Sequence, residues 1–293
     1  CIRNSINEKE LFRFLDSQYR KARSAAPDLI NEAPRIDARH ISDFCRRIRM
    51  QEGIFYKSLG TLGGGNHFIE YGEDDVSGEG WVTIHCGSRN TGVKVAEYWN
   101  NVSLKPGRVV YPGYLSGEAL KGYLSDMTIA QAYAVFNHIT IRDRIFAILG
   151  KLCKAKCTES IFTTHNYISL SDSVPMMRKG AIDASDGRKI AIPFNMRDGI
   201  AICIGKGNRE WMNTAPHGAG RSMSRTQARK QIQISDFEEA MKGIFSTSVG
   251  QSTLDESPMA YKSTTEILSL IEPTAHVVAM VRPKLNLRCR TNI

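Results

Sequence analysis

The sequence predicts an α+β protein, a single compact domain in which mixed sheets are surrounded by helices and a central cleft is lined by histidines. Three observations lead to this class. From about Lys57 onward, short strand-like runs alternate with Gly-rich turns. Amphipathic helices precede, interrupt and follow these runs, and four of the histidines lie in the runs or beside their turns. The chain therefore combines the two-residue period of strands with the 3.6-residue period of helices.

Helices are predicted where apolar residues recur every three or four positions, or where a capping box begins a segment. The predicted helices cover residues 8–23, 126–149 and 264–271, and two others begin at the capping boxes Ser224-x-x-Gln227 and Ser235-x-x-Glu238. The predicted strands cover residues 66–71, 81–85, 160–170, 189–193 and 200–205. Asp198-Gly199, which lies between the last two strands, predicts a hairpin turn.

Two segments are predicted along the chain. Residues 1–56 are interpreted as an N-terminal helical and connecting segment, because a polar, Pro-containing stretch follows the first helix. Residues 57–293 are interpreted as the main body, since the alternation of strands and Gly-rich turns begins there.

Composition and charge narrow the class of protein. The 293 residues carry 39 Lys and Arg against 30 Asp and Glu, a formal net charge of +9. This balance favours a polyanionic partner, although many basic proteins bind no nucleic acid. No apolar run reaches the length of a membrane span, and the first residues do not resemble a signal peptide. Because the seven cysteines are scattered, we expect reduced thiols in a cytoplasmic protein without a membrane partner.

Four histidines lie in surroundings that favour chemistry. His67 follows three glycines, His85 ends a strand-like run, His165 lies inside a β-branched run, and His217 lies on a Gly-flanked loop before a capped helix. Small neighbours leave room for a metal or a phosphate, and imidazole can bind a transition metal or attack phosphorus. The alternative for each residue by itself is a hydrogen-bonded structural histidine.

Taken together, these segments resemble the RtcB family of RNA ligases. The resemblance covers residues 57–290 and depends on several strings that follow the order of the family. They are Gly60-Thr-Leu-Gly-Gly-Gly-Asn-His-Phe-Ile-Glu70, His85-Cys-Gly-Ser-Arg89, His165-Asn-Tyr167, Arg178-Lys-Gly-Ala181, His217-Gly-Ala-Gly-Arg-Ser-Met-Ser-Arg225 and Ala260-Tyr-Lys262. The first string and the His217 string are highly specific.

The resemblance implies a GTP- and Mn²⁺-dependent RNA ligase whose catalytic body is residues 57–293. A histidine would take GMP from GTP, pass it to an RNA 3′-phosphate, and an RNA 5′-hydroxyl would then displace the GMP. His217 would be this nucleophile, with Mn²⁺ held by His67, His85 and His165, and with Arg89 on an RNA phosphate. The implied nucleotide contacts are Asn66, Phe68, Ile69, Glu70, Asn166, Pro193, Met196, Gly218, Ala219, Gly220 and Tyr261.

The same resemblance implies partners and roles. RNA, as tRNA halves or broken ends with a 3′-phosphate or 2′,3′-cyclic phosphate, would be the substrate, and an accessory activating protein is a candidate partner. A histidine attacks phosphorus only as neutral imidazole, so the other ring nitrogen of His217 needs a hydrogen-bond partner. The Glu70 carboxylate would accept from the guanine edge and so favour GTP over ATP.

The chain departs from the family pattern at several positions. Members carry an upstream Asp-x-x-Cys-Gly segment that binds metal, and this sequence has none. We therefore expect either an upstream portion outside this sequence or a three-histidine site that binds metal more weakly. The Pro-Gly-Ser-Met turn of the family corresponds to Pro193-Phe-Asn-Met196, a nearby serine to Ile200, and a lysine that contacts guanine to Arg288. These departures indicate that the chain belongs to a divergent branch of the family that it resembles.

Two other classes of function stay open. One is a non-catalytic RNA-binding relative that has lost part of its metal site, and the other is a metal-dependent phosphohydrolase. The His217 string favours the ligase, because a protein that only binds RNA has no need of a nucleophile between glycines. Two basic stretches are candidates for RNA phosphates or for solvated surface, namely Arg221, Arg225, Arg229 and Lys230, and Arg282, Lys284, Arg288 and Arg290.

Overall fold

A computed structural model describes residues 7–33, 35–104, 113–170 and 175–288 of the chain. The predicted α+β class is confirmed. The helices are α1 (Glu8–Ala25), α2 (Ala38–Arg47), α3 (Glu52–Lys57), α4 (Thr91–Ser103), α5 (Gly117–Cys153), α6 (Arg225–Gln231), α7 (Ile234–Ala240) and α8 (Thr264–Ile271). The strands are β1 (Phe68–Asp74), β2 (Gly80–His85), β3 (Tyr167–Ser169), β4 (Met176–Arg178), β5 (Ala181–Asp183), β6 (Lys189–Pro193), β7 (Ile200–Gly205), β8 (Thr214–Pro216) and β9 (Ala275–Arg288).

Contacts divide the chain into two compact units, each built from separate stretches of sequence. The first unit takes residues 1–61, 86–155 and 167–177, and the second takes residues 62–85, 156–166 and 178–293. Neither unit coincides with the predicted segments 1–56 and 57–293, which stay a prediction.

The first unit is mostly helical, and its core forms where α1 packs against α5. Leu11, Leu15 and Tyr19 recur every fourth residue on one face of α1 and are buried there. The side chain of Asn7 accepts a hydrogen bond from the Glu10 amide at the start of α1, which satisfies one of the free amides of that helix end. The predicted helix over 126–149 is confirmed as the central part of the longer α5.

The second unit is organised around a five-stranded antiparallel sheet in the order β2-β1-β9-β7-β6. β6 and β7 form the predicted hairpin, and Gly199 has a φ of 81°, a value that glycine adopts readily. The long strand β9 pairs with both β1 and β7, with a register shift on each side. It was not predicted, because exposed charged residues and Pro283 interrupt its apolar pattern.

Two local predictions were wrong. The strand predicted over 160–170 is reduced to β3, and residues 160–166 have no regular structure, although β-branched residues are frequent there. The capping box at Ser235 is not used, because α7 begins one residue earlier, after Gln233. The capping box at Ser224 is confirmed, since both of its reciprocal hydrogen bonds to Gln227 are present.

The strands place three of the candidate histidines at their ends. His67 directly precedes β1, His85 is the last residue of β2, and His217 directly follows β8. β8 pairs with β5 in a separate two-stranded sheet. No helix of the described residues is long and apolar enough to cross a membrane.

Candidate functional site

Four half-buried histidines of the second unit lie in a row. The ring centroids of His67 and His85 are 5.7 Å apart, those of His85 and His165 are 5.4 Å apart, and those of His165 and His217 are 4.5 Å apart. His165 and His217 are tilted by only 32° from parallel. The structure thus brings together the four histidines that the sequence singled out, although they come from three separate stretches of the chain.

His85 and His165 have the spacing of two metal ligands. Their Nε2 atoms are 3.3 Å apart. Two imidazole nitrogens bound at about 2.0–2.1 Å to one tetrahedral metal lie about 3.4 Å apart, so the pair fits a shared ion. Among the described residues, no three His, Cys, Asp or Glu side chains form a ready-made metal site. His67 contacts the ring of His85, and the structure therefore brings two of the three predicted ligands into coordinating distance of each other.

The orientation of His217 is set by a backbone carbonyl. Its Nδ1 is 2.7 Å from the carbonyl oxygen of Gly180, and its own amide donates to the same oxygen at 3.4 Å. Since a carbonyl oxygen can only accept, Nδ1 donates to it, and in the neutral ring the lone pair is then on Nε2. This is the partner that the sequence required for a neutral, nucleophilic imidazole.

A cavity of about 290 Å³ lies within the second unit, beside these histidines. Its walls come from β1, β9, the β6–β7 hairpin and the loop after β8, and both His85 and His217 line it. Eight of the eleven predicted nucleotide contacts line it as well, namely Asn66, Phe68, Glu70, Pro193, Gly218, Ala219, Gly220 and Tyr261. A Cβ on Gly218 would lie 2.9 Å from the carbonyl oxygen of Pro193, so only glycine allows this close approach.

The other three predicted nucleotide contacts lie elsewhere in the second unit. Ile69 is on β1 between Phe68 and Glu70, and because side chains alternate along a strand, it points to the opposite face. Met196 is fully buried in an apolar cluster with Ala228 and Phe237. The side chain of Asn166 accepts a hydrogen bond from the Gly180 amide at 2.8 Å. None of the three is among the residues that line the cavity, and their roles stay predictions.

Buried polar groups without hydrogen-bond partners form one end of the cavity. Glu70 and Asn286 face each other across β1 and β9, and Nδ2 of Asn286 donates to Oε2 of Glu70 at 2.6 Å. Oε1 of Glu70, Oδ1 of Asn286 and Nε of Arg288 have no hydrogen-bond partner among the described residues. Burial raises the pKa of Glu70 to about 8, although the Asn286 hydrogen bond and the Arg288 charge oppose this shift.

Arginines at the cavity are paired with two buried acids. Glu256 accepts from Arg288 at 2.7 Å and lies 3.1 Å from Arg225 and 3.6 Å from Arg221. Asp255 is paired at 3.1 Å with both Arg225 and Arg229. Arg225 and Arg229 stay about half exposed although buried carboxylates balance their charge, so both alternatives for this stretch, RNA phosphates and solvated surface, stay predictions.

The second basic stretch is also paired. Arg282 contacts Asp75 at 2.7 Å, and Lys284 contacts Glu73 at 3.6 Å. Arg290 lies outside the described residues. The acids come from β1 and the turn after it, which the sequence does not place beside β9.

Arg89 belongs to the first unit. It follows the Cys86-Gly87-Ser88 turn, has a φ of 50°, and donates from Nε to Oγ1 of Thr61 at 3.1 Å. Its proposed contact with an RNA phosphate stays a prediction.

Several residues of the site were not identified from the sequence. Asn286, Asp255 and Glu256 have no motif around them, and their positions depend on tertiary contacts. Gly180 lies in the string Arg178-Lys-Gly-Ala181, which matched the family without an assigned role. That match, to which no role was assigned, was the signal in the sequence that could have identified Gly180.

Comparisons with known proteins identify a matching family and several similar proteins. The family described as "tRNA-splicing ligase RtcB" matches residues 40–289. RNA-splicing ligase RtcB1 of Escherichia coli is 31% identical over 247 residues, which are 78% of this chain and 60% of that protein. RNA-splicing ligase RtcB of Escherichia coli strain K12 is 30% identical with the same coverage. The tRNA-splicing ligase RtcB of Pyrobaculum aerophilum is 27% identical over 281 residues, which cover 77% of this chain and 58% of that protein.

The chain spans about 60% of the length of these curated relatives. The family match covers most of the chain, and it includes all four clustered histidines and every residue that lines the cavity. The chain therefore belongs to the RtcB family.

Proposed function

We propose that this chain is the catalytic body of a GTP- and Mn²⁺-dependent RNA ligase. It joins an RNA 3′-phosphate, or a 2′,3′-cyclic phosphate, to a 5′-hydroxyl through a GMP–histidine intermediate. The observation that carries the proposal is the hydrogen bonding of His217. Its Nδ1 donates to the Gly180 carbonyl oxygen, and its ring lies beside His165 and lines the cavity. The family match supports the reaction class.

His217 acts as the nucleophile in the first step. The free Nε2 lone pair attacks the α-phosphorus of GTP, an N–P bond forms, and the bond to the bridging oxygen breaks as pyrophosphate leaves. A 3′-phosphate oxygen of RNA then attacks the same phosphorus, which returns Nε2 to its neutral state. Finally the 5′-hydroxyl attacks the activated 3′-phosphorus, gives its proton to water as the new P–O bond forms, and displaces GMP. An RNA 2′,3′-cyclic phosphate enters this sequence only after water opens it to the 3′-phosphate.

His85 and His165, with His67, are the residues that would hold Mn²⁺. The 3.3 Å spacing of the two Nε2 atoms is the fit that supports this assignment. When bound, the ion would neutralise phosphate charge and so lower the barrier to attack by an imidazole. The backbone amides of Gly218 and Gly220 can approach phosphate oxygens closely, because no side chain covers them, whereas the Ala219 amide donates to the Pro193 carbonyl oxygen at 3.1 Å.

The base end of the cavity, which we define as Glu70, Asn286 and Arg288, complements guanine. Its groups without partners are two acceptors, Oε1 of Glu70 and Oδ1 of Asn286, and one donor, Nε of Arg288. Guanine presents N1–H and N2–H₂ as donors and O6 as acceptor on one edge, whereas adenine presents one amino donor beside the N1 acceptor. Adenine would leave at least one buried group unpaired, which costs about 1–3 kcal/mol for each group. Recognition by these groups would select GTP over ATP.

The decisive experiment is covalent labelling. We expect protein incubated with Mn²⁺ and α-labelled GTP to form an adduct that acid hydrolyses and base does not. His217→Ala should abolish the adduct, and His85→Ala should reduce it severely. His276→Ala is the matched control, because His276 is exposed on β9 and does not line the cavity. Label on the His217→Ala protein, or release of free GMP without any adduct, would contradict the proposal, and the latter would favour a hydrolase.

A further inference from the structure

The string Arg178-Lys-Gly-Ala181 has no role in metal or nucleotide binding as proposed above, yet it lies directly against the nucleophile. Ala181 of β5 is paired with Pro216 of β8, so the next residues along the two strands are Gly180 and His217. The Gly180 carbonyl accepts from both the amide and Nδ1 of His217. The string therefore supplies the backbone oxygen that determines which ring nitrogen of His217 is protonated.

Gly180 is itself held by Asn166. The side-chain Oδ1 of Asn166 accepts from the Gly180 amide at 2.8 Å. Gly180 therefore donates to Asn166 through its amide and accepts from His217 through its carbonyl. Both residues have left-handed backbone conformations, with φ of 62° for Asn166 and 63° for Gly180. Glycine adopts this conformation at little cost, and asparagine is among the side chains that tolerate it best. The two positions accordingly suit the residue types found there.

Arg178 anchors the same string from its other end. The buried guanidinium donates from Nε to Oγ1 of Thr214 at 3.1 Å and from a terminal nitrogen to the carbonyl oxygen of Met212 at 3.4 Å. Thr214 is the first residue of β8, three residues before His217. With Arg178 held on one side and the Gly180 amide held by Asn166 on the other, the Gly180 carbonyl has little freedom to turn away from His217.

We propose that Asn166 is a positioning residue for His217, which it controls through the Gly180 backbone. This inference rests on the proposed function of His217 as the nucleophile. Asn166 follows His165, so the same short segment carries a metal ligand and the support of the nucleophile. Loss of the Asn166 acceptor frees the Gly180 amide, lets the carbonyl move from Nδ1, and allows the proton to shift to Nε2, where it blocks attack.

The test compares the tautomer of His217 with the rate of adduct formation. Nitrogen NMR of ¹⁵N-histidine-labelled protein, without metal or nucleotide, should show wild-type His217 protonated at Nδ1. Asn166→Ala should give a mixed or Nε2-protonated ring, and Asn166→Asp, which keeps the Oδ1 acceptor, should restore the wild-type signal. At saturating GTP and Mn²⁺, Asn166→Ala should slow adduct formation by about 10–100-fold, and Asn166→Asp should recover most of that loss.

Asn208→Ala is the matched control, because Asn208 caps the Arg209–Trp211 turn in the same unit and contacts neither Gly180 nor His217. It should leave both the tautomer and the rate unchanged. An unchanged His217 signal in Asn166→Ala, combined with a weaker affinity for GTP, would overturn the inference and leave Asn166 as a nucleotide contact. If wild-type protein forms no adduct, the ligase proposal fails, whereas the tautomer comparison still decides whether Asn166 positions His217.

Discussion

The two ends of the cavity are built in different ways. At the histidine end, His85 and His217 line the cavity and His165 contacts both; the rings are half-buried, and that of His217 is fixed by a nearby backbone carbonyl. At the base end, Glu70 and Asn286 are almost fully buried and face each other across strands that lie 216 residues apart. The histidine end depends on short local segments, and the base end depends on long-range strand pairing.

This difference has an energetic consequence. A buried acceptor that is left without a hydrogen bond costs about 1–3 kcal/mol, and the base end holds acceptors that no described protein group satisfies. A base that satisfies these acceptors avoids that cost and a base that does not incurs it, so under the proposed function the selectivity for the base would lie in the fold itself. Under the same proposal, the histidine end would provide reactivity. Three predictions test this division, from the largest expected effect to the smallest.

The largest effect is expected at Glu256, which supports the base end through Arg288. Glu256→Gln removes the charge that balances Arg288, Arg225 and Arg221. Because Arg288 is 5% exposed in its side chain and Glu256 3%, an uncompensated buried charge remains. We expect the free energy of unfolding to fall by about 3–5 kcal/mol, as for other buried ion pairs that lose one partner. The free energy of unfolding can be measured by urea denaturation, with circular dichroism as the signal.

The matched control for this prediction is Glu272→Gln. Glu272 pairs with Lys206 at 2.6 Å, but its side chain is 73% exposed. Exposed pairs of this kind contribute little to stability, because water and salt screen them. Equal losses of stability in the two variants would show that the network at Glu256 is not the support of the base end.

The second effect concerns the pH dependence of base recognition. The pKa of Glu70 in the free protein is raised to about 8, so the carboxyl group is mostly protonated below that pH. A carboxylate is needed to accept from two N–H donors, and therefore affinity should be fully present above pH 8 and be lost as the pH falls. The loss should approach about tenfold per pH unit.

Guanosine is the suitable probe, because it has no phosphate that titrates in this range. Calorimetry between pH 6 and pH 8.5 should show the slope in wild-type protein and a flat, weak profile in Glu70→Gln. A flat wild-type profile would mean that Glu70 does not contact the base in its ionised form.

The same comparison explains what the sequence could predict. The α+β class, the helix α8 and the hairpin of β6 and β7 follow from local periodicity and turn residues, and all were confirmed. The histidine end was also predictable, because each ring lies beside its own recognisable string. Asn286 and Glu256 were not predictable. Asn286 reaches the cavity through the pairing of β9 with β1, and Glu256 is buried at the end of the 3-10 turn Gln251–Glu256; neither feature leaves a local sequence pattern. Residues 160–166 show the converse, because their β-branched residues form no strand where no neighbouring strand pairs with them.

The smallest effect is expected at Asn286, and it separates the two acceptors of the base end. Oδ1 of Asn286 and Oε1 of Glu70 can together take the N1–H and N2–H₂ donors of guanine, whereas inosine lacks the 2-amino group. Wild-type protein should therefore bind guanosine about tenfold or more tightly than inosine, the effect of one good hydrogen bond. Asn286→Ala should bind both nucleosides with nearly equal affinity, while the adduct chemistry of His217 stays intact because the histidine end is held by other segments. If Asn286→Ala keeps the preference for guanosine, the 2-amino group is recognised elsewhere. If it instead abolishes the adduct at saturating GTP, the two ends are not separate, and the division between stored selectivity and local reactivity is wrong.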